Sequence, residues 1–147
     1  METIDFKKIP EWWALCPNAQ CTMSGQCLRH QVYLQVPAHI KEWSCVLPQN
    51  VSEEQCEFFQ KAEQVRIARG FKGIWKQIHS RDARHDIRMA LTAYFGSKGS
   101  YYRYRDGERT ITPEQQQHIL DILRRMGYHG DASFDEYNED YVFEYVR

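Results

Sequence analysis

Two groups of side chains in this 147-residue chain are of the right type and spacing to do chemistry. The first is thiol. Cys16, Cys21 and Cys27 fall within CPNAQCTMSGQCLRH, residues 16–30, separated by four and five residues, and Cys56 follows further on. Pro17, Asn18, Ser24 and Gly25 lie between them and let the backbone fold back, as gathering several thiolates around one ion requires. Four soft ligands at tetrahedral corners suit zinc; the same set suits an iron–sulfur cluster, and unligated thiols are the third reading. The fourth ligand is open between Cys56, Cys45 and His30. Cys56 is preferred because it follows the polar segment SEEQ. Cys45 lies in the alternating run Trp43 to Leu47, where a short strand would bury it as a small hydrophobe, and His30 reads as a helix-surface residue.

The second group is cationic and aromatic. It lies in LTAYFGSKGSYYRYRDGERTITP, residues 91–113, where a helical pattern breaks at glycine, resumes in a Tyr/Arg segment and breaks again. Gly96 is placed to end one helix and Ser97 to cap the next, so Lys98 to Arg105 is expected to form a short helix with two tyrosines inward and several cations outward. The chemistry such a helix offers is nucleic-acid binding. Elsewhere no nucleophile–base pair, paired carboxylates or phosphate-cradling glycine loop is visible, and the six histidines lack the helical spacing of a metal pair. The chain is therefore expected not to be an enzyme.

Charge supports the same division. The net charge of −1 hides a basic middle: residues 1–65 carry −3, residues 66–130 carry +7 and residues 131–147 carry −5. A polyanion would be drawn to the middle segment. The acidic, aromatic tail DASFDEYNEDYVFEYVR offers a surface to a protein partner or to the chain's own basic part, and residues 141–146 alternate as a strand or extended arm would. No apolar run is long enough to span a membrane, and METIDFKKIPEWW lacks the apolar core and cleavage site of a secretory signal, so a cytoplasmic protein is expected. An odd number of cysteines in such a chain argues against a disulfide framework.

Helices must position these groups. Apolar residues at Phe58, Ala62, Val65, Ala68, Phe71, Trp75 and Ile78 recur at steps of three and four, which predicts a helical stripe over 57–78, with Gly70 and Gly73 able to bend it. Ser80 and Asp82 start a helix running to about Phe95 and burying Ile87, Ala90, Leu91 and Tyr94. Thr112, Pro113 and Gln115 open another in capping-box fashion, with Ile119, Ile122, Leu123 and Met126 as its buried edge and Gly127 as its stop. Adjacent Trp12 and Trp13 cannot share a face, so one caps the core and the other rests on a neighbouring module.

Two resemblances add to this reading. On Gly96, Ser97, Arg103, Tyr104 and Gly107-Glu108-Arg109, the segment from Leu91 to Arg109 resembles the helix-turn-helix of Cro/repressor-type DNA-binding domains. It departs from that pattern in a turn one residue shorter, in Gly99 within the helix and in Thr92 where alanine is commoner. The resemblance implies that Tyr101 and Tyr104 face the core while Lys98, Ser100, Tyr102, Arg103 and Arg105 face the groove, with Arg109 on a phosphate. Arginine can read guanine bidentately, and lysine or serine can hold phosphate. Over nearly the whole chain, CPNAQC, CLRH, Cys56-Glu57-Phe58-Phe59, VRIARGF, YYRYRDGERTITPEQQQHI and the acidic end are similar to a family of small bacterial proteins catalogued as a domain of unknown function.

The expectation is thus a mainly α protein: a Cys-rich metal-stabilised N-terminal knuckle over 1–56, a four-helix repressor-like helix-turn-helix unit over 57–130, and a short extended acidic arm over 131–147. It would bind duplex DNA through Lys98, Ser100, Tyr102, Arg103, Arg105 and Arg109, with zinc, or alternatively an iron–sulfur cluster, on Cys16, Cys21, Cys27 and Cys56. A protein-interaction module using the helix pair as scaffold, and an iron–sulfur redox sensor, are the alternatives.

Overall fold

The structure, a computed structural model, describes residues 2–52 and 54–144. The chain divides into two compact units, one made of residues up to Gln64 together with those from Tyr141 on, the other of Val65–Asp140.

The first unit has little regular structure. Its one α-helix, α1, is Leu28–Tyr33, and single 3-10 turns lie at Phe6–Lys8, Ser24–Gln26 and Pro48–Asn50. Isolated bridges join Leu15 to Cys45 and Cys27 to Lys61. Its core is Ile9, Trp13, Leu15, Leu28 and Val32, against which Trp43, Ala62, Tyr141 and Phe143 pack. The tryptophan pair does split: Trp13 is fully buried, its ring edge-on to Phe143 at 4.9 Å, while Trp12 is half exposed. Two further expectations change. Cys45 is exposed, because its bridge to Leu15 leaves the side chain outside the core, and His30 is buried, its Nδ1 2.9 Å from the carbonyl oxygen of Cys16.

The second unit contains β1 (Val65–Arg69), α2 (Lys72–Lys76), α3 (Arg81–Phe95), α4 (Lys98–Arg105), α5 (Pro113–Arg125) and β2 (Glu136–Asp140). The strands pair antiparallel, Val65 opposite Asp140 and Arg69 opposite Glu136. Ala68 also exchanges backbone hydrogen bonds with Ile111, whose N–H reaches the Ala68 carbonyl at 2.7 Å. One core gathers Ala68, Phe71, Ile74, Ile78, Ile87, Leu91, Tyr101, Ile111, Ile119, Ile122, Leu123 and Phe134.

The four-helix repressor-like reading is thereby overturned: the fold is α/β, with five α-helices and a two-stranded antiparallel sheet among the described residues. The expected helix over 57–78 is in fact turns, strand β1 and the single-turn α2. Its three-and-four spacing is met by residues buried for other reasons: Ala68 lies in a strand, and Phe71 and Ile78 flank α2. Gly70, at φ +73, separates strand from helix, and β-branched Val65 and Ile67 favour the extended side of that break. The metal-closed Cys-rich knuckle is corrected too. Residues 16–27 are a succession of turns, and among the described residues no group of three or more His, Cys, Asp or Glu is arranged to hold a metal ion. The strand lies at 136–140, residues 141–144 are in no strand, and Tyr145 and Val146 lie outside the described residues.

The three helices following α2 start and stop as their sequences dictate. Ser80 Oγ accepts the Ala83 N–H, and Gly96 ends α3 at φ +89, donating its own N–H to Thr92. Thr112 and Gln115 form the reciprocal capping box of α5, although Met126 at its end is exposed.

Candidate functional site

Helix α4 is set on its core by tyrosines. Ser97, fully extended after the left-handed Gly96, accepts the Ser100 N–H on its hydroxyl at 3.1 Å, and this fixes the start of the helix. Tyr101 is completely buried between Phe71, Trp75 and Tyr102, and Tyr104 stacks on Phe95 with centroids 4.2 Å apart. Both tyrosines therefore face the core. At 100° per residue, the direction opposite them is occupied by Gly99, flanked by Tyr102 and Arg103, with Lys98 and Ser100 at the margins.

The six residues expected to meet DNA do not form one free face. Lys98 and Arg103 are exposed, and their side chains make no hydrogen bond or ion pair among the described residues. Ser100 is half-buried and accepts from Arg109 at 3.2 Å, while the Arg109 guanidinium lies over the Tyr104 ring at 5.6 Å. Arg105 lies over Tyr102 at 4.7 Å and donates to Asp106 at 2.8 Å, an arrangement that raises the guanidinium's pKa and holds the Asp106 carboxyl below the usual carboxylate range. Lys72 approaches the same carboxylate at 3.8 Å. Four of the six thus brace the helix and two are uncommitted. No Cβ-sized obstacle stands at Gly96 or Gly99, so the backbone at the start of α4 is open to close approach.

The acidic strand β2 lies beside β1, with Glu139 opposite Arg66 and Glu136 opposite Arg69, and Arg66 covers the Tyr137 ring at 4.1 Å. Its carboxylates enter the charge of the second unit, which holds 13 Lys/Arg against 11 Asp/Glu, a net of +2.

In the first unit the cysteines are all free, and the charges of Cys27, Cys56 and Cys21 act on the thiol of Cys16. Burial pushes the Cys16 thiol up, an N–H from Asn18 works against that, and Cys27, Cys56 and Cys21 each push it further up as like charges. The Met23 N–H reaches Cys21 Sγ at 3.4 Å. Backbone bonds hold the pieces: the Cys16 N–H donates to the Arg29 carbonyl, and Leu28 donates to Gln60 beside the turn that carries Cys56. Cys45 is not among them.

Arg29 is the residue that the sequence reading passed over. It is 3% exposed, and its guanidinium donates to the carbonyls of Phe58 (2.8 Å), Ala14 (2.6 Å) and Glu144 (3.3 Å) while covering the Trp13 ring at 4.5 Å. Burial lowers its pKa, and Cys27, Cys56 and Cys16 act in the opposite direction. The available signal was a lone charge between Leu28 and Val32, both core residues, two positions after Cys27.

Among the described residues no helix is long and apolar enough to cross a membrane. These features define an α/β protein of two compact units, one holding a buried arginine and the other presenting exposed cations on α4. The chain belongs to DUF6078, a family of unknown function whose model matches residues 1–143. No curated protein and no solved structure matches it.

Proposed function

We propose that the second unit binds nucleic acid, duplex DNA in the first instance, through the outward face of α4. The observation that carries this reading is that Lys98 and Arg103 are exposed and uncommitted, with Gly99 open, on a helix whose core side is locked by Tyr101 and Tyr104. Cations that no carboxylate occupies are available to phosphate, and a glycine between them lets a phosphate backbone come close to the helix. Arg105 and Arg109, already engaged with Asp106 and Ser100, act as braces in this reading, so contact with the sugar–phosphate backbone outweighs base readout. The resemblance of residues 91–109 to a helix-turn-helix supports the placement of α4 against the duplex.

The test is a salt-controlled binding isotherm on duplex DNA. The pair Lys98→Ala and Arg103→Ala is expected to weaken binding and to reduce the slope of log K against log salt by roughly 0.9 for each phosphate contact removed. Unchanged affinity and slope would dismiss the reading.

A protein-interaction role is the second reading. It is favoured by an open groove of about 540 Å³ in the first unit, lined by Leu15, Leu34, Val36, Ile40 and Trp43. Leu34, 63% exposed, stands at its rim.

A further inference from the structure

Trp75, half-buried on α2, has two guanidinium groups over its ring. Cζ of Arg84 lies 5.7 Å from the ring centroid and Cζ of Arg88 5.5 Å, the two residues standing one turn apart on α3. Arg84 Nε donates to the Ile78 carbonyl, which holds that side chain where the chain enters α3. Neither arginine forms an ion pair with a carboxylate among the described residues. The carboxylates of α3 itself, Asp82 and Asp86, stand two positions from the arginines, about 200° round the helix. Asp106 is engaged by Arg105 and Lys72.

Two side chains that touch this ring each carry a polar atom without a partner. Arg88 Nε is shut off from water and has no hydrogen-bond acceptor among the described residues. The hydroxyl of Tyr101 is in the same position, on a completely buried ring that meets Trp75 edge-on at 6.4 Å. Burial raises the Tyr101 phenol, and the charges of Arg105 and Arg88 act against that. An Nε–H can only donate, and a phenol is able to donate, so one acceptor would serve both. Two like charges held on one indole also lack a negative charge. A water molecule supplies the acceptor and not the charge; an oxyanion supplies both.

We propose that Arg84, Arg88 and the Tyr101 hydroxyl form a phosphate-binding site on Trp75, the Arg88 side chain turning about its own bonds to present Nε to the anion. Among the described residues Arg88 has its ring contact and no hydrogen bond or ion pair, so the turn breaks neither. The planar fork of a guanidinium takes two phosphate oxygens side by side, and the indole keeps the two forks close together. The ligand is a phosphate oxyanion, supplied either as inorganic phosphate or by the phosphodiester of a nucleic acid. The site shares no residue with Lys98 and Arg103 and does not rest on the reading of α4.

The experiment titrates the full chain with inorganic phosphate at constant ionic strength, potassium chloride making up the balance, and follows the phosphorus NMR line width and the thermal midpoint. Expected is saturable binding, with a midpoint that rises along the same isotherm, because a ligand of the folded state stabilises by mass action. Arg84→Gln, Arg88→Gln and Tyr101→Phe are each expected to weaken phosphate binding about tenfold or more, the loss that follows removal of a hydrogen bond to a charged group. Tyr101→Phe keeps the ring in place and so tests the site without disturbing α3. Arg103→Gln, on α4, is expected to bind phosphate as the parent does. Duplex DNA separates the two sources. Displacement of phosphate by DNA, with a slope of log K against log salt that falls by roughly 0.9 in Arg88→Gln, assigns the site to a phosphodiester; phosphate retained beside bound DNA assigns it to the free ion. Absence of saturable binding in the parent, or binding that survives Arg84→Gln, Arg88→Gln and Tyr101→Phe, would overturn the proposal. So would a midpoint that climbs without saturation and equally in parent and variants, which is the general effect of an excluded salt.

Discussion

Tyr101 is completely buried, yet its hydroxyl has no hydrogen-bond partner. A buried hydroxyl without a partner costs about 1–3 kcal/mol in desolvation, so Tyr101→Phe, which removes the oxygen and keeps the ring between Phe71 and Trp75, is expected to stabilise the protein by about 1 kcal/mol at neutral pH. Chemical denaturation of the two forms measures this directly. The same hydroxyl governs behaviour in alkali. Burial raises the Tyr101 phenol above its ordinary value near 10, with Arg105 and Arg88 opposing, and burial raises Tyr94 in the same direction. A phenol raised in the folded state holds its proton where the unfolded chain has lost it. Its contribution is therefore complete below the unfolded value of about 10 and declines as pH rises through the folded one. Stability is expected to fall above about pH 10 in the parent and to fall less steeply in Tyr101→Phe, followed by circular dichroism alongside tyrosinate absorbance.

Elements whose boundaries are set by local chemistry could be read directly from the chain. Ser80, Gly96, Ser97, Thr112 and Gln115 act through neighbours within four residues, and α3, α4 and α5 lie where those residues predict. The region around β1 could not be read in this way, because its partner is about seventy residues away. Nothing near Val65–Arg69 announces β2, and the cap of α2 comes from Asp135, whose carboxylate accepts the N–H groups of Lys72 and Gly73 at 2.9 Å each. The buried Arg29 could not be read from residue type either, since burial of a charge depends on the carbonyls of Ala14, Phe58 and Glu144. The junction at Gly70 allows a quantitative check. A Cβ there would sit 2.6 Å from Asp135 Oδ2, on a backbone at φ +73 that side chains rarely adopt. Asp135→Ala is expected to cost about 1 kcal/mol through the lost cap and Gly70→Ala about 1–2 kcal/mol through strain and collision. Removing the Asp135 carboxylate also removes the atom that the added methyl group would strike. The double variant should therefore cost less than the sum of the two single ones, and additivity within error in a denaturation cycle would show that the collision is not felt.

Charge is distributed over the molecule so that the second unit carries only a small positive excess, because the strand that completes its sheet is acidic. Residues 66–130 alone carry +7, and Asp131, Asp135, Glu136, Glu139 and Asp140, the last three on the strand beside β1, bring the unit to +2. Attraction of a polyanion depends on the whole field, whereas the salt slope depends on the number of phosphates contacted, so the two can be separated. Replacing Glu136 and Glu139 by Gln takes the unit from +2 to +4 without adding a cation to α4. If α4 is the contact surface, this variant is expected to elute from heparin at higher salt and to bind duplex DNA more tightly, with the slope of log K against log salt unchanged within about one phosphate. Cross-strand pairing with Arg66 and Arg69 is worth only about 0.2–1 kcal/mol, so the melting temperature should move little, and a melting curve run in parallel separates a change in field from a change in fold. A steeper slope would mean that new cations had entered the interface. Arg66 and Arg69, opposite neutral residues in that variant, would then belong to the binding surface together with α4.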